Sequence, residues 1–103
     1  MNDFDLNDFA AAVHEHGPSW QAAGIDWQLL FGPTRDKPAA WVTCETTRTL
    51  AQLTIWTSGE AELDTGDVAN GTHTSTHYDI TTPQDLTACL DDLTQKLNPP
   101  PTP

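Results

Sequence analysis

The sequence predicts an α+β fold: an antiparallel sheet of four to five strands with N- and C-terminal helices packed on one face. Apolar residues recur at helical spacing near both ends of the chain, and residues 39–64 alternate strictly between apolar and polar side chains. The sequence shows no internal repeat and no sign of a second domain. Because an open sheet with one apolar face must bury that face, we expect both helices to cover it.

The chain has 103 residues, which suits one domain with a modest core. We predict a single domain over residues 1–98 and a flexible proline-rich tail over residues 99–103, since proline cannot continue a helix. No apolar run reaches the roughly 18 residues that a membrane helix needs. The acidic start, MNDFDLNDFA, differs from a signal peptide, so we predict a soluble, cytoplasmic protein.

The first helix is expected to begin after Asp3 or Asp5, because either side chain can cap its N-terminus. Gly17 and Pro18 are expected to end it, since glycine favours helix ends and proline cannot continue a helix. Its apolar stripe consists of Leu6, Phe9, Ala10 and Val13. The first helix is therefore predicted to be short and amphipathic.

Polar and apolar side chains alternate in the segments that we predict to be strands, which are residues 25–31, 39–45, 50–57, 60–64 and 72–80. A loop with two prolines and a glycine, residues 32–38, follows the first strand. Short turns at residues 46–49 and 58–59 make the next three strands a meander. Residues 65–71 form a longer connection to the last strand.

The second helix has the clearest start signal in the chain. Thr82 suits the N-cap, Pro83 suits the first helical position, and Asp85 completes a variant of the capping box. Leucines then form an apolar stripe that should lie on the sheet, namely Leu86, Leu90, Leu93 and Leu97.

The alternation in residues 39–64 sorts side chains onto two faces. The apolar face carries Val42, Cys44, Ala51, Leu53, Ile55, Ala61 and Leu63. The other face is left open, and it carries large aromatic rings and carboxylates, which are typical of interfaces. We predict that partner binding uses Trp41, Thr43, Glu45, Thr54, Trp56, Glu60, Glu62 and Asp64. Alternatively, the first helix or the tail covers the two tryptophans, or a bulge turns one inward.

The charge is strongly acidic, with fifteen acidic and four basic residues and a net charge of -11. Three basic residues, Arg35, Lys37 and Arg48, lie in or near turns, and residues 49–95 contain no Lys or Arg. Such a surface repels nucleic acid and membrane phosphates and attracts a basic protein. Acidity that merely keeps the protein soluble is the other explanation.

Catalytic and metal sites are not indicated. His73 and His77 are roughly 13 Å apart along one strand, too far to share one zinc ion. The acid row Glu60, Glu62 and Asp64 has the spacing of paired catalytic carboxylates but lacks a cleft that would raise one pKa. Cys44 and Cys89 are expected to be buried hydrophobes. We therefore predict no catalytic residue, metal ligand or cofactor; an enzyme would need a concave site with a shifted titratable group.

Several segments carry a resemblance to a known family. DKPAAWV at residues 36–42, LTIWTSGEAEL at residues 53–63 and the following Asp67, Gly71 and His77 resemble the TriTu family of immunity proteins from bacterial polymorphic toxin systems. The resemblance extends over residues 24–97. It implies a non-enzymatic protein that binds a cognate toxin, and the residues that match the motif are Trp41, Trp56, Gly59, Glu60 and Glu62.

The residues and the resemblance lead to the same functional prediction. We expect an immunity protein that occludes a basic toxin, of nuclease type, through the acidic, tryptophan-bearing face of its sheet. The alternative is an acidic DNA mimic or adaptor that binds proteins without a dedicated toxin.

Overall fold

The computed structural model describes residues 5–32, 38–69 and 71–97. Its elements are, in chain order, α1 (Leu6–Ala22), β1 (Asp26–Phe31), β2 (Ala39–Glu45), β3 (Thr49–Trp56), β4 (Glu60–Asp67), β5 (His73–Asp79) and α2 (Pro83–Leu97). Each strand pairs antiparallel with the next, in the order β1-β2-β3-β4-β5. The predicted α+β fold is thus confirmed. The predictions for Asp3, for most of the loop at 32–38 and for the tail fall outside the described residues.

One hydrophobic core joins both helices to one face of the sheet, which we call the closed face. The sheet contributes Ala40, Val42, Cys44, Ala51, Leu53, Ile55, Ala61 and Leu63. The helices contribute Phe9, Val13, Trp20, Leu86, Cys89, Leu90, Leu93 and Leu97. The apolar stripe predicted for α2 and the burial predicted for both cysteines are therefore confirmed.

The predicted end of α1 at Gly17 and Pro18 is wrong, because the helix continues to Ala22 with Pro18 inside it. Trp20 is fully buried, and its Nε1 donates a hydrogen bond of 2.8 Å to Thr94 Oγ1 on α2. Gly17 is also buried, and a Cβ added there would lie only 2.5 Å from Cζ2 of Trp27. Tertiary packing of the last turn thus outweighs the local breaking signal.

The start of α2 has the predicted capping box. The amide of Asp85 donates to Thr82 Oγ1 at 3.1 Å, and the amide of Thr82 donates to Asp85 Oδ2 at 3.1 Å. Thr81 adds bonds to the same carboxylate from its hydroxyl and its amide. These bonds, with the Thr81 hydroxyl the largest contributor, lower the pKa of Asp85.

Strand β4 is longer than the predicted segment 60–64, since it extends to Asp67. Residues 65–67 pair with β3, and residues 65 and 66 also pair with β5, so the first three residues of the connection predicted at 65–71 belong to the strand and a turn begins at Val68. In that turn the amide of Asp67 bonds to the carbonyl of Thr72, and the amide of Gly71 bonds to the carbonyl of Asp67. Gly71 has a φ of 72°, which favours glycine there.

The turn between β3 and β4 depends on Gly59. Its φ is 90°, its amide donates to the carbonyl of Trp56, and its carbonyl accepts from the amide of Ile80. A Cβ at this position would lie 2.7 Å from the carbonyl oxygen of Ile80. Gly59 therefore allows the turn to contact the segment that leads into α2.

Candidate partner-binding face

The side of the sheet opposite the helices, which we call the open face, displays alternate residues of all five strands. Trp41 lies directly opposite Thr54, and Thr54 lies opposite Glu62 on β4, so these residues share one face. The alternation of buried and accessible residues along β2 agrees with this assignment. All of the residues predicted to bind a partner lie on the open face: Trp41, Thr43, Glu45, Thr54, Trp56, Glu60, Glu62 and Asp64. Their role in binding stays a prediction.

The two tryptophans of the open face are half-buried and lie on adjacent strands. Trp41 faces Thr54 and Trp56 faces Ala39, so the indoles are diagonal neighbours. The register between β2 and β3 is continuous from Ala39 to Glu45, which excludes a bulge there. Since α1 packs on the closed face, it does not cover the tryptophans. The alternative in which the tail covers them falls on residues outside the described part of the chain.

Carboxylates dominate the charge of the open face. They belong to Asp26, Glu45, Glu60, Glu62, Asp64 and Asp79. None of the five strands contains Lys or Arg. In the described part of the chain, the basic residues are Arg48, in the turn between β2 and β3, and Lys96 on α2. The electrostatic potential over this face is therefore negative.

Histidines border the acid row on the edge strand β5. Asp64 accepts a hydrogen bond from Ser75 Oγ and has His73 Nε2 at 3.7 Å. His77 Nε2 lies 3.1 Å from Asp79 Oδ1. Each histidine thus neighbours a different carboxylate. Across residues 5–32, 38–69 and 71–97, no three histidine, cysteine or carboxylate side chains are grouped so that they could hold a metal ion.

A shallow depression of about 430 Å³ lies on the open face at the end remote from the tryptophans. Gly66 has no side chain to fill the space between Leu50 and His73, which flank it on the neighbouring strands. Predicted residues Thr43, Glu45 and Asp64 line the depression. Leu50, which is 48% exposed, lines it too and was not predicted. Leu50 lies four residues before Thr54 on the same strand, so its side chain is on the same face. This spacing could have predicted that Leu50 belongs to the open face.

Neither described cysteine is activated as a nucleophile. Burial raises the pKa of both cysteine thiols, Cys44 and Cys89, to about 12, so both stay protonated at neutral pH. Burial and the hydrogen bond that Tyr78 donates to Asp92 raise the pKa of the Tyr78 phenol. Neither of the helices in the described ranges is long and apolar enough to span a membrane. The open face offers aromatic surface, carboxylate acceptors, hydroxyls and the imidazoles of His73 and His77.

Comparison with known proteins gives one family. The model of the family described as "Immunity protein TriTu" matches residues 7–96. The matched stretch contains all five strands and nearly all of both helices. No curated protein matches the chain significantly. The family resemblance seen in the sequence is thereby confirmed.

Proposed function

The chain belongs to the TriTu family of immunity proteins, and we propose that it binds and neutralises a cognate toxin through its open face. The observation that carries this proposal is the contrast between the two sides of the sheet. The closed face is sealed by both helices, whereas the open face presents two tryptophans and a set of carboxylates. The protein acts by occlusion and is a binding protein without catalytic activity.

The tryptophan pair is the proposed anchor of the interface. Large aromatic side chains at the centre of an interface commonly account for much of the binding free energy, because they remove apolar surface from water at a small cost in side-chain entropy. Trp41 and Trp56 are already half-buried in the unbound protein, which restricts their rotamers before binding. Burial of the remaining indole surface then stabilises the complex.

The acids define the charge of the partner. With the row Glu60, Glu62 and Asp64 beside the tryptophans and no basic residue on the strands, a basic toxin surface is electrostatically complementary. The acids also accelerate the encounter, since a negative field attracts a positive partner before contact. We therefore propose a basic toxin, with the acids setting the association rate and the tryptophans setting the dissociation rate.

Co-expression tests the proposed function in cells. The toxin encoded beside this gene is expressed in a sensitive host, and growth is scored with and without the immunity protein. We expect full protection by the native chain and loss of protection by the double variant Trp41→Ala/Trp56→Ala. The matched control is Phe31→Ala, because Phe31 is an aromatic residue that is 53% exposed but does not lie on the open face.

Two outcomes of this experiment would change the proposal. If the double tryptophan variant is folded by circular dichroism and protects as well as the Phe31→Ala variant, the open face is not the binding surface. If the native chain also protects against unrelated basic nucleases, the acidic DNA mimic or adaptor becomes the better description.

Association kinetics separate the roles of acids and tryptophans. Neutralising Glu62 to Gln should slow association and weaken its dependence on salt, because exposed charges are screened beyond about 8 Å at 0.15 M ionic strength. Trp56→Ala should mainly raise the dissociation rate. Asp91→Asn is the control for charge, since this exposed carboxylate lies on α2, away from the open face. Equal salt dependence in the Glu62 and Asp91 variants would remove the acid row from the proposed mechanism.

A further inference from the structure

A second concave surface lies on the helix side of the molecule. It is a groove of about 680 Å³ between α1, the start of α2 and the turn at Ser58 and Gly59. Its apolar lining consists of Ala11, Ala12, Ile80, Pro83 and Leu86. Ile80 and Leu86 are each only 5% exposed, so they form a floor that belongs to the core. The two alanines on α1 leave the space between the helices open, because no larger side chain fills it.

The charged side chains that line this groove are carboxylates, and one of them, Asp5, already accepts a hydrogen bond from the amide of Asn7. Asp8 and Glu15 line it, and within the described residues neither side chain makes a hydrogen bond or an ion pair. The hydroxyl of Thr81, a donor at the groove, is already bonded to Asp85, outside the lining. No Lys or Arg is among the lining residues. A ligand that carries cationic donors beside apolar groups therefore complements the groove in charge and in polarity.

The groove adjoins the open face at one end of the sheet. Ser58 and Gly59 form its end wall, and the same turn connects Trp56 to Glu60 on the open face. A partner that covers the tryptophans can thus reach the groove around this turn without crossing an edge strand. This continuity favours the partner of the open face over an unrelated ligand. A second copy of the chain is disfavoured, because both copies carry a net charge of -11.

We propose that the groove docks a short segment of the cognate toxin in which arginine or lysine alternates with apolar residues. The apolar side chains lie on the floor of the groove, and the cationic groups pair with the carboxylates of Asp8 and Glu15. This inference rests on the proposed immunity function and adds a second contact to it. The partner then holds the protein both across the open face and beside the helices.

A peptide probe tests the groove without the toxin. The probe is a fluorescent, blocked pentapeptide with the sequence Arg-Leu-Arg-Leu-Arg, titrated into the full chain. Ala11→Arg blocks the groove, and Ala22→Arg is its matched control, since both alanines are exposed on α1 and both variants gain the same charge. We expect Ala11→Arg to weaken binding at least about tenfold and Ala22→Arg to change it less than about twofold.

Backbone amide NMR shifts locate the bound probe. Binding in the groove predicts shifts at Ala11, Ala12 and Thr87, and these shifts should persist in the Trp41→Ala/Trp56→Ala variant. Shifts confined to the open face, or equal peptide affinity in the Ala11→Arg and Ala22→Arg variants with both folded by circular dichroism, would overturn the proposal.

The same matched pair then tests the groove with the toxin of the adjacent gene. We expect Ala11→Arg to bind this toxin more weakly than Ala22→Arg does. If the two variants bind it equally well, the toxin does not use the groove, whereas the proposed function of the open face still stands. Loss of toxin binding in the tryptophan variants is judged separately, so the two proposals can fail independently.

Discussion

The open and closed faces of the sheet are made from the same strands, one residue apart, and they differ in almost every property. Val42 and Leu53 on the closed face are fully buried in the core that the helices complete, whereas their neighbours Thr43 and Gln52 on the open face are not part of that core. Burial of apolar surface explains the closed face. The same physics does not explain half-buried tryptophans among carboxylates on the other side. Stability and binding are therefore expected to respond to substitutions on different faces.

The largest expected difference between the faces concerns two leucines. Leu90 on α2 is fully buried, so Leu90→Ala should lower the free energy of unfolding by about 2–5 kcal/mol through lost burial and a cavity. Leu50 on the open face is 48% exposed, and Leu50→Ala should cost less than about 1 kcal/mol. Urea denaturation measures both values. A loss under about 0.5 kcal/mol for Leu90→Ala would mean that α2 does not seal the core.

The next largest effect concerns the turn between β3 and β4. Gly59→Ala should cost about 1–3 kcal/mol, because the residue has a positive φ and its new Cβ would meet the carbonyl oxygen of Ile80 at 2.7 Å. Gly24→Ala is the control, since Gly24 has a φ of 80° but no atom within 4 Å of an added Cβ. Thermal unfolding of both variants separates backbone strain from the close contact. Equal losses would show that the contact with Ile80 contributes nothing.

The smallest expected effect concerns the cap of α2. Thr82→Ala should cost about 0.5–2 kcal/mol, the usual value for an N-cap. Asp85→Asn should also destabilise at neutral pH, because hydrogen bonds lower the pKa of Asp85 below its ordinary value of 3.8 in the folded state. That stabilisation is present above 3.8 and is lost as the pH falls through the lowered pKa. The difference between Asp85→Asn and the native chain should thus shrink in acid, as unfolding at several pH values would reveal. Glu62→Gln on the open face is the control, and its stability should change by less than about 0.5 kcal/mol.

Local signals in the sequence were sufficient for most of the fold. The capping box at Thr82 and the alternation around Val42 depend on residues close in the chain, and both were found as predicted. The end of α1 was predicted wrongly because it depends on distant contacts. Trp20 is held by Thr94 on α2, and Gly17 is packed against Trp27 on β1. No pattern within α1 reveals those partners.

The candidate site was only partly accessible from the sequence. The alternation of side chains along each strand, which we call parity, placed Trp41 and Glu62 on one face correctly. This alternation follows from the extended backbone alone. The depression beside Gly66 and the groove beside Ala11 required the pairing of strands and the packing of helices, which join residues far apart in the chain. The identity of a partner depends on a second molecule, so neither parity nor packing supplies it.

Fluorine NMR of the tryptophans tests the central claim most directly. The chain has four tryptophans: Trp20 and Trp27 lie on the helix side, while Trp41 and Trp56 lie on the open face. A protein labelled with 5-fluorotryptophan, with signals assigned through single Trp→Phe variants, is titrated with the toxin encoded by the adjacent gene. We predict that the signals of Trp41 and Trp56 move on binding while those of Trp20 and Trp27 stay in place. Unchanged signals of Trp41 and Trp56 in the saturated complex would contradict the claim that the open face binds the toxin.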